Sequence, residues 1–473
     1  MSEKLTLKLA ASRQGIARQG GGVHLLVRVA PPERKPDEKR HRVALALVLD
    51  RSGSMAEPAA DLPATGSHGP ASEVPCKLDY LREAALRMLE QMPDGDAVAL
   101  VSFDDQVRVE KPLTVLSQRA RAALSGAIRA LTTGGSTNLE GGLRAGLRQL
   151  ATGRTAYYRK LVLLSDGLAN VGESRPAVLG EIAAGAAHNG TTISALGVGI
   201  DYHLGLMSHL AECGNGVFHH VDHLDELQGI LAGEFLDAAA VTARNVEVTL
   251  QVPDRVAVGT NLHGYPQADI DGGVRIALGD LVRPREFLIE LTTPVELPGD
   301  RLRIHVLAEG TGLHGDVLEA DARLALPLVT TAEALALPVE ERIVTQTIER
   351  VQARADMESA LAAEAGDPTA AQGVVAGARA AALGLTSLYG PAVTERAEVG
   401  ATVAYLDALA RRLEVPQAPA TLKSRFAMAS MAGRGLGRLV GRCPACGEKA
   451  FFEALRGGTK VRSCNACGHF ERD

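Results

Sequence analysis

Tryptophan is absent from the 473 residues and aromatics reach only 3%, yet hydrophobic residues at 46% and charged residues at 22% lie near the values of soluble globular chains, which excludes global disorder. A strong excess of one charge is missing too: the net charge of −6 gives no whole-chain attraction for nucleic acid or an anionic membrane surface. No apolar run approaches the ~18 to 20 residues that span a bilayer; the longest is VALALVL before Asp50. No secretory leader is expected, because Leu5, Leu7 and Leu9 alternate with polar neighbours and Lys8 interrupts any apolar stretch, which is a strand pattern. These absences lead us to expect a cytoplasmic protein with no membrane partner. Cysteine is scarce, with six in all, of which four form two C-x-x-C pairs. The remaining two, Cys76 and Cys213, read most simply as buried thiols. The sequences G-x-x-x-x-G-K-[ST], G-x-S-x-G and H-E-x-x-H are all missing, and Ser165 in LSDG is no nucleophile elbow, so no catalytic residue is assigned and the chain is not read as an enzyme.

What is present divides into blocks of different periodicity, with no internal repeat; the length alone points to about three units. Residues 1–42 offer two strands, LTLKLA and VHLLVRVA, followed by the charged linker PPERKPDEKR. In residues 240–330, Val246, Val248, Leu250 and Val252 alternate strictly, as do Leu302, Ile304 and Val306. Both blocks read as half-buried antiparallel sheet, and two N-terminal strands are too few to stand alone, so one β-sandwich built from both is expected. Between them, residues 43–239 alternate short apolar strands (VALALVLD, AVALVSF, KLVLLSD, TISALGVG) with helical stretches (KLDYLREAALRMLEQM, and SQRARAALSGAIRAL opened by Ser117). That alternation predicts a doubly wound α/β domain on a mainly parallel sheet. Residues 331–412 carry helical faces, Val344, Ile348, Val351 and Ala355 on one and Val399, Val403, Leu406 and Leu413 on another. A linker at 413–440 then leads to a cysteine-bearing unit at 441–473.

In doubly wound sheets ligands bind beyond the carboxyl ends of the strands. DRSGSM follows the first α/β strand and supplies Asp50, Ser52 and Ser54; GGSTNL supplies Thr137; LSDG supplies Asp166. Mg²⁺ wants near-octahedral oxygen donors with one or two carboxylates, and two Asp plus three hydroxyls meet that demand, with Mn²⁺ as the substitute ion. Gly53, Gly134, Gly135 and Gly167 are read as freeing the backbone to turn so that these short side chains converge.

The strand, helix and motif order of roughly residues 43–239 resembles the von Willebrand factor A domain, and the three motifs resemble its metal-ion-dependent adhesion site. The resemblance implies that Ser52 and Ser54 bind the metal directly, Asp50 directly or through water, and that Thr137 and Asp166 alternate between direct and water-mediated contact. The last ligand position is then open to an Asp or Glu from a protein partner. An A domain inserted in a β-sandwich and followed by helices is also similar in layout to several bacterial A-domain proteins and to inter-α-trypsin-inhibitor heavy chains. One departure is the long stretch at 56–75, read either as a flap or specificity loop over the cation or as a tolerated insertion. His203, His209, His219, His220 and His223 invite a second-metal reading, but VFHHVDHL is also a strand end and a helix start, and that plainer reading is the one taken.

Near the C-terminus, Cys443, Cys446, Cys464 and Cys467 have the spacing C-x2-C-x17-C-x2-C, which suits tetrahedral Zn²⁺, and a unit of about 30 residues has too little core to fold without such a staple. The unit resembles a zinc ribbon; a dithiol redox pair is the alternative, for which two matched knuckles are redundant. From Lys423 to Arg462 nine Lys or Arg face only Glu448 and Glu453. Nucleic acid therefore stays open as a partner of the tail, against protein docking, with Phe426, Phe451 and Phe452 as its few stacking side chains. Two functions follow: a non-enzymatic interaction protein gripping a partner carboxylate through the cation, or an A-domain subunit of an AAA⁺ ATPase machine of chelatase or cofactor-insertion type.

Overall fold

The computed structural model describes residues 4–34, 40–58, 75–153, 157–390, 397–433, 437–441, 451–456, 459–464 and 470–472. Two compact units emerge, one of Met1–Pro36, Thr242–Ala454 and Val461–Asp473, the other of Asp37–Val241 and Leu455–Lys460. Strands β1 (Thr6–Ala11), β2 (Ile16–Ala17) and β3 (Gly21–Ala30) belong to the first.

The second unit is the α/β fold. Its elements are β4 (Val43–Asp50), a 3-10 turn (Gly53–Ala56), α1 (Lys77–Gln91), β5 (Ala97–Phe103), β6 (Val107–Val115), α2 (Gln118–Arg129), α3 (Leu139–Ala151), β7 (Tyr158–Ser165), α4 (Pro176–His188), β8 (Thr191–Val198), α5 (Leu204–Cys213), β9 (Asn215–Val221) and α6 (Leu227–Ala240). One six-stranded sheet runs in the order β6-β5-β4-β7-β8-β9. Every neighbouring pair is parallel except β5 with β6. Strands β4, β5 and β8 are buried at every residue, the result of helices covering the sheet and the reason these segments read as unbroken apolar runs. The antiparallel β6 is partly exposed throughout, as an edge strand should be, and its mixed VRVEKPLTV pattern escaped the sequence reading. Ser117 caps α2 as expected, accepting a hydrogen bond from the Ala120 amide at 3.3 Å. The chain leaves β4 toward β5 and β6 and then returns to β7 on β4's other side, which puts the end of β4 at the switch point where such sheets open a crevice.

In the first unit, β10 (Ala243–Gln251), β11 (Ala257–Val258), β12 (Gln267–Ile270), β13 (Gly273–Leu281), β14 (Arg285–Thr293), β15 (Arg301–Thr311) and β16 (Val317–Val329) join β1 to β3. They form two sheets, β1-β3-β14-β11 and β12-β13-β10-β15-β16-β2. Val23, Leu25, Val27 and Phe287 of the first share one core with Val248, Leu250, Ile276 and Ile304 of the second. The alternation of Val246, Val248 and Leu250 is therefore an inward face, with Glu247 and Gln251 outward.

Five helices follow: α7 (Thr331–Ala336), α8 (Glu341–Glu364), α9 (Pro368–Tyr389), α10 (Ala397–Arg412) and α11 (Pro419–Gly433). The last corrects the reading of 413–440 as a linker. Pro419 starts a helix well, and Leu422, Phe426 and Ala429 at helical spacing are buried, with α11 lying along α8. The Gly and Arg content that suggested a linker belongs to the stretch after Met431. Arg425 of α11 reaches Asp356 of α8 (Nε–Oδ1 3.4 Å) and donates to Ser359 Oγ at 2.8 Å, while Tyr405 donates to the same Asp356 Oδ1 at 2.5 Å. A four-stranded sheet in the order β17 (Gly437–Gly441), β18 (Phe451–Arg456), β19 (Thr459–Cys464) and β20 (Phe470–Arg472) completes the described elements. Cys464 ends β19, whereas Cys443, Cys446 and Cys467 lie outside the described residues. Among the described residues no helix is long and apolar enough to cross a membrane.

Asp356→Ala leaves the buried Arg425 without its counter-charge and is expected to destabilise the helical part by about 3 kcal/mol. Urea unfolding followed by circular dichroism checks this, and an unchanged transition would contradict the assigned pairing.

Candidate metal centre

Asp50 is the last residue of β4 and is fully buried. Its Oδ1 accepts from the Ser52 amide at 2.8 Å, and its Oδ2 from the Ser165 hydroxyl at 2.5 Å. Ser52 precedes the 3-10 turn that carries Ser54, and the two hydroxyls stand 3.1 Å apart. Ser54 donates to Asp166 Oδ1 at 2.7 Å, and Asp166, directly after β7, is also fully buried. Thr137 enters from the loop before α3. Gly167 shows where the hydroxyls point: a methyl group there would lie 3.2 Å from Thr137 Oγ1, 3.4 Å from Ser54 Oγ and 4.0 Å from Ser52 Oγ. The five residues singled out in the sequence thus come together at one place.

What fixes them was less legible. Arg51 pairs with Asp104 at 2.6 Å, both buried. The Gly134 amide donates to the Arg51 carbonyl at 2.7 Å and the Gly53 amide to the Gly135 carbonyl at 2.9 Å, clamping the 132–137 loop on the DRSGS loop. Asn170 accepts from the Thr137 amide at 2.8 Å and its own amide returns a bond to the Thr137 carbonyl at 3.2 Å. Asn138 caps α3 by accepting from the Gly141 amide at 2.9 Å. The four glycines act differently from the expectation, since none has a positive φ. For two of them the reason is proximity: a Cβ on Gly134 would sit 1.8 Å from Asp104 Oδ2 and one on Gly135 2.6 Å from Asp105 Oδ1, whereas at Gly53 it would meet nothing closer than 3.4 Å. The most consequential residue missed in the sequence is Lys77, whose ammonium lies 2.9 Å from Asp166 Oδ2 and 2.6 Å from Glu57 Oε2.

Residues 45–169 match the family described as von Willebrand factor type A domain. The chain carries a von Willebrand factor A domain. Solved structures agree on the fold: a von Willebrand factor type A protein from Catenulispora acidiphila superposes with a TM-score of 0.63 at 17% identity, covering 92% of this chain and 97% of its own. The ArnB paralog VWA2 from Sulfolobus acidocaldarius gives 0.54 at 16% identity over 91% and 98%. By sequence the chain is similar to the uncharacterized protein YfbK of Escherichia coli (26% identity over 37% of this chain and 30% of that protein). It is also similar to the uncharacterized protein sll0103 of Synechocystis (23% over 72% and 80%) and to human inter-alpha-trypsin inhibitor heavy chain H3 (26% over 50% and 25%). The chain thus spans under a third of the first and third of these relatives.

Within the A domain the donor set suits a hard divalent cation: three hydroxyls converging over Gly167 and two buried carboxylates beside them, all oxygen. Burial pushes the Asp50 carboxyl up to about 6, with the charge of Asp166 adding to it and the hydrogen bonds from Ser165 and Ser52 opposing. Burial alone would lower Lys77, but its bonds to Glu57 and Asp166 outweigh that and hold its ammonium above its ordinary range. The histidines serve elsewhere. His203 accepts from the Leu206 amide at the start of α5, His219 contacts Glu234 at 2.6 Å, and His220 contacts Tyr202 at 2.7 Å. Among the described residues no group of three or more His, Cys, Asp or Glu is arranged to hold a metal, so the second-metal reading gains nothing. Cys76 and Cys213 are half-buried rather than buried: Cys76 begins a helix at the surface, and Cys213 ends one beside His209. Of the 56–75 stretch, residues 59–74 lie outside the described residues; at its ends Pro58 bridges Cys76.

Two outcomes follow for the cation-free and cation-loaded protein. Because the folded pKa of Asp50 stands above its ordinary value, the cation-free fold holds that proton more tightly than the unfolded chain does. Its contribution to stability therefore grows as pH falls through about 6, while Mn²⁺ affinity, which needs the carboxylate, rises from pH 5 to pH 7; a pH-independent affinity by calorimetry contradicts this. Asn170→Ala frees the Thr137 loop and is expected to weaken Mn²⁺ by about tenfold with the fold retained; unaltered affinity would remove Asn170 from the positioning role.

Proposed function

We propose that the A domain holds one divalent cation, Mg²⁺ or Mn²⁺, through Asp50, Ser52, Ser54, Thr137 and Asp166, and that the chain is a non-catalytic adaptor gripping an Asp or Glu of a protein partner at that cation. The observation that carries this reading is the convergence of three hydroxyls over Gly167 with two fully buried carboxylates around them. A cation so held keeps an open coordination position, and a carboxylate entering it makes a charge-assisted contact able to anchor an interface. Exposed Leu168, two residues after Asp166, offers apolar area beside that position. An AAA⁺ ATPase partner would use the same acidic grip.

We read the two sheets of the first unit as the expected β-sandwich, supported by their common core. Residues 441–473 we read as a zinc ribbon in which Cys443, Cys446, Cys464 and Cys467 hold Zn²⁺, supported by the cysteine spacing. The ribbon is then a second docking module.

Affinity capture from lysate, with wild-type and Asp166→Ala chains in Mg²⁺ and in chelator, tests the grip. A partner lost in the variant and in chelator is expected, and an identical partner set in all four samples would overturn it. For the ribbon, elemental analysis of the purified chain is expected to give one zinc, lost in Cys464→Ser; a zinc-free wild type would contradict it.

A further inference from the structure

Lys77 has no duty in the proposed grip, yet its ammonium is bonded to one of the five residues, Asp166. It is the first residue of α1, held in place by a capping box in which the Cys76 amide donates to Asp79 Oδ2 at 3.0 Å. Its own amide donates to the Glu57 carbonyl at 3.2 Å. From this anchored start the side chain, only 11% exposed, runs inward to Asp166, which is 0% exposed. Both oxygens of Asp166 are thereby taken, Oδ1 by the Ser54 hydroxyl and Oδ2 by the ammonium.

We propose that Lys77 is a resident counter-cation of this site, holding Asp166 when no divalent ion is bound and opposing the ion when one enters, so that the residue sets the cation affinity. The inference rests on the cation reading given above. A buried carboxylate pair left without positive charge is costly, and the ammonium supplies that charge. A dication held by Asp166 would share that carboxylate with the ammonium, a like charge in a poorly solvated pocket, where repulsion is far stronger than in water. Glu57 gives the ammonium somewhere to go: its carboxylate is 2.6 Å away and 54% exposed, so Lys77 can release Asp166 and keep a partner.

The test titrates Mn²⁺ into the full chain by calorimetry for wild type, Lys77→Met, Lys77→Arg, Glu57→Gln and Asp166→Asn, with melting temperatures measured with and without the ion. Lys77→Met keeps the apolar stem and is expected to bind Mn²⁺ at least about tenfold tighter, to melt below wild type without the ion, and to gain more on its addition. Lys77→Arg should restore wild-type behaviour. Glu57→Gln, a change at an exposed side chain, is expected to melt like wild type and to weaken binding several-fold because the ammonium is then held on Asp166. Unchanged affinity in Lys77→Met and Glu57→Gln, with wild type binding and Asp166→Asn not, would overturn the role of Lys77 while sparing the cation site. No Mn²⁺ binding by wild type or by Lys77→Met would overturn both.

Discussion

Asp50 and Asp166 stand at the carboxyl ends of the paired strands β4 and β7, wholly shielded from water, and burying two carboxylates side by side is a cost the fold must offset. Most of the local architecture can be understood as that offset. Ser165 and the Ser52 amide satisfy Asp50, Ser54 and Lys77 satisfy Asp166, and the Asp50 carboxyl is still left with a raised proton affinity. A site that binds protons more tightly than an ordinary carboxylate, and that already attracts an ammonium, is one prepared for positive charge.

Convergence depends on contacts behind the five residues. The Arg51–Asp104 pair sits under Gly134, and Asn170 exchanges hydrogen bonds with the Thr137 backbone. These contacts tie four loops that are distant in sequence into one rim, as preorganised binding requires. The switch in strand order at β4 supplies the crevice, since the loops after β4 and β7 diverge to opposite sides of the sheet only there.

The sequence was most readable where one physical demand dominated. VALALVLD had to be a doubly covered strand, and its final Asp followed by D-x-S-x-S spacing pointed to hard oxygen donors at a strand end. Reading failed where tertiary context decides. Lys77 is one lysine among many, separated from Ser54 by a long insertion, and nothing local marks it as the ion that meets Asp166. Asn170 looks like an ordinary loop amide until Thr137 is beside it. The glycines were expected to serve backbone turning, yet none has a positive φ, and Gly134 is required instead by the closeness of Asp104. The edge strand β6 lacks the clean alternation of a half-buried strand, and α11 was hidden by the Gly and Arg residues that follow it.

The most direct measurement is anomalous diffraction at the manganese edge from crystals of the full chain grown with Mn²⁺. A single strong peak within bonding distance of the Ser52 and Ser54 hydroxyl oxygens, with the Lys77 ammonium withdrawn from Asp166, is the expected result. A site empty of anomalous signal at saturating Mn²⁺, with Lys77 still on Asp166, would contradict the claim that these residues form a cation centre.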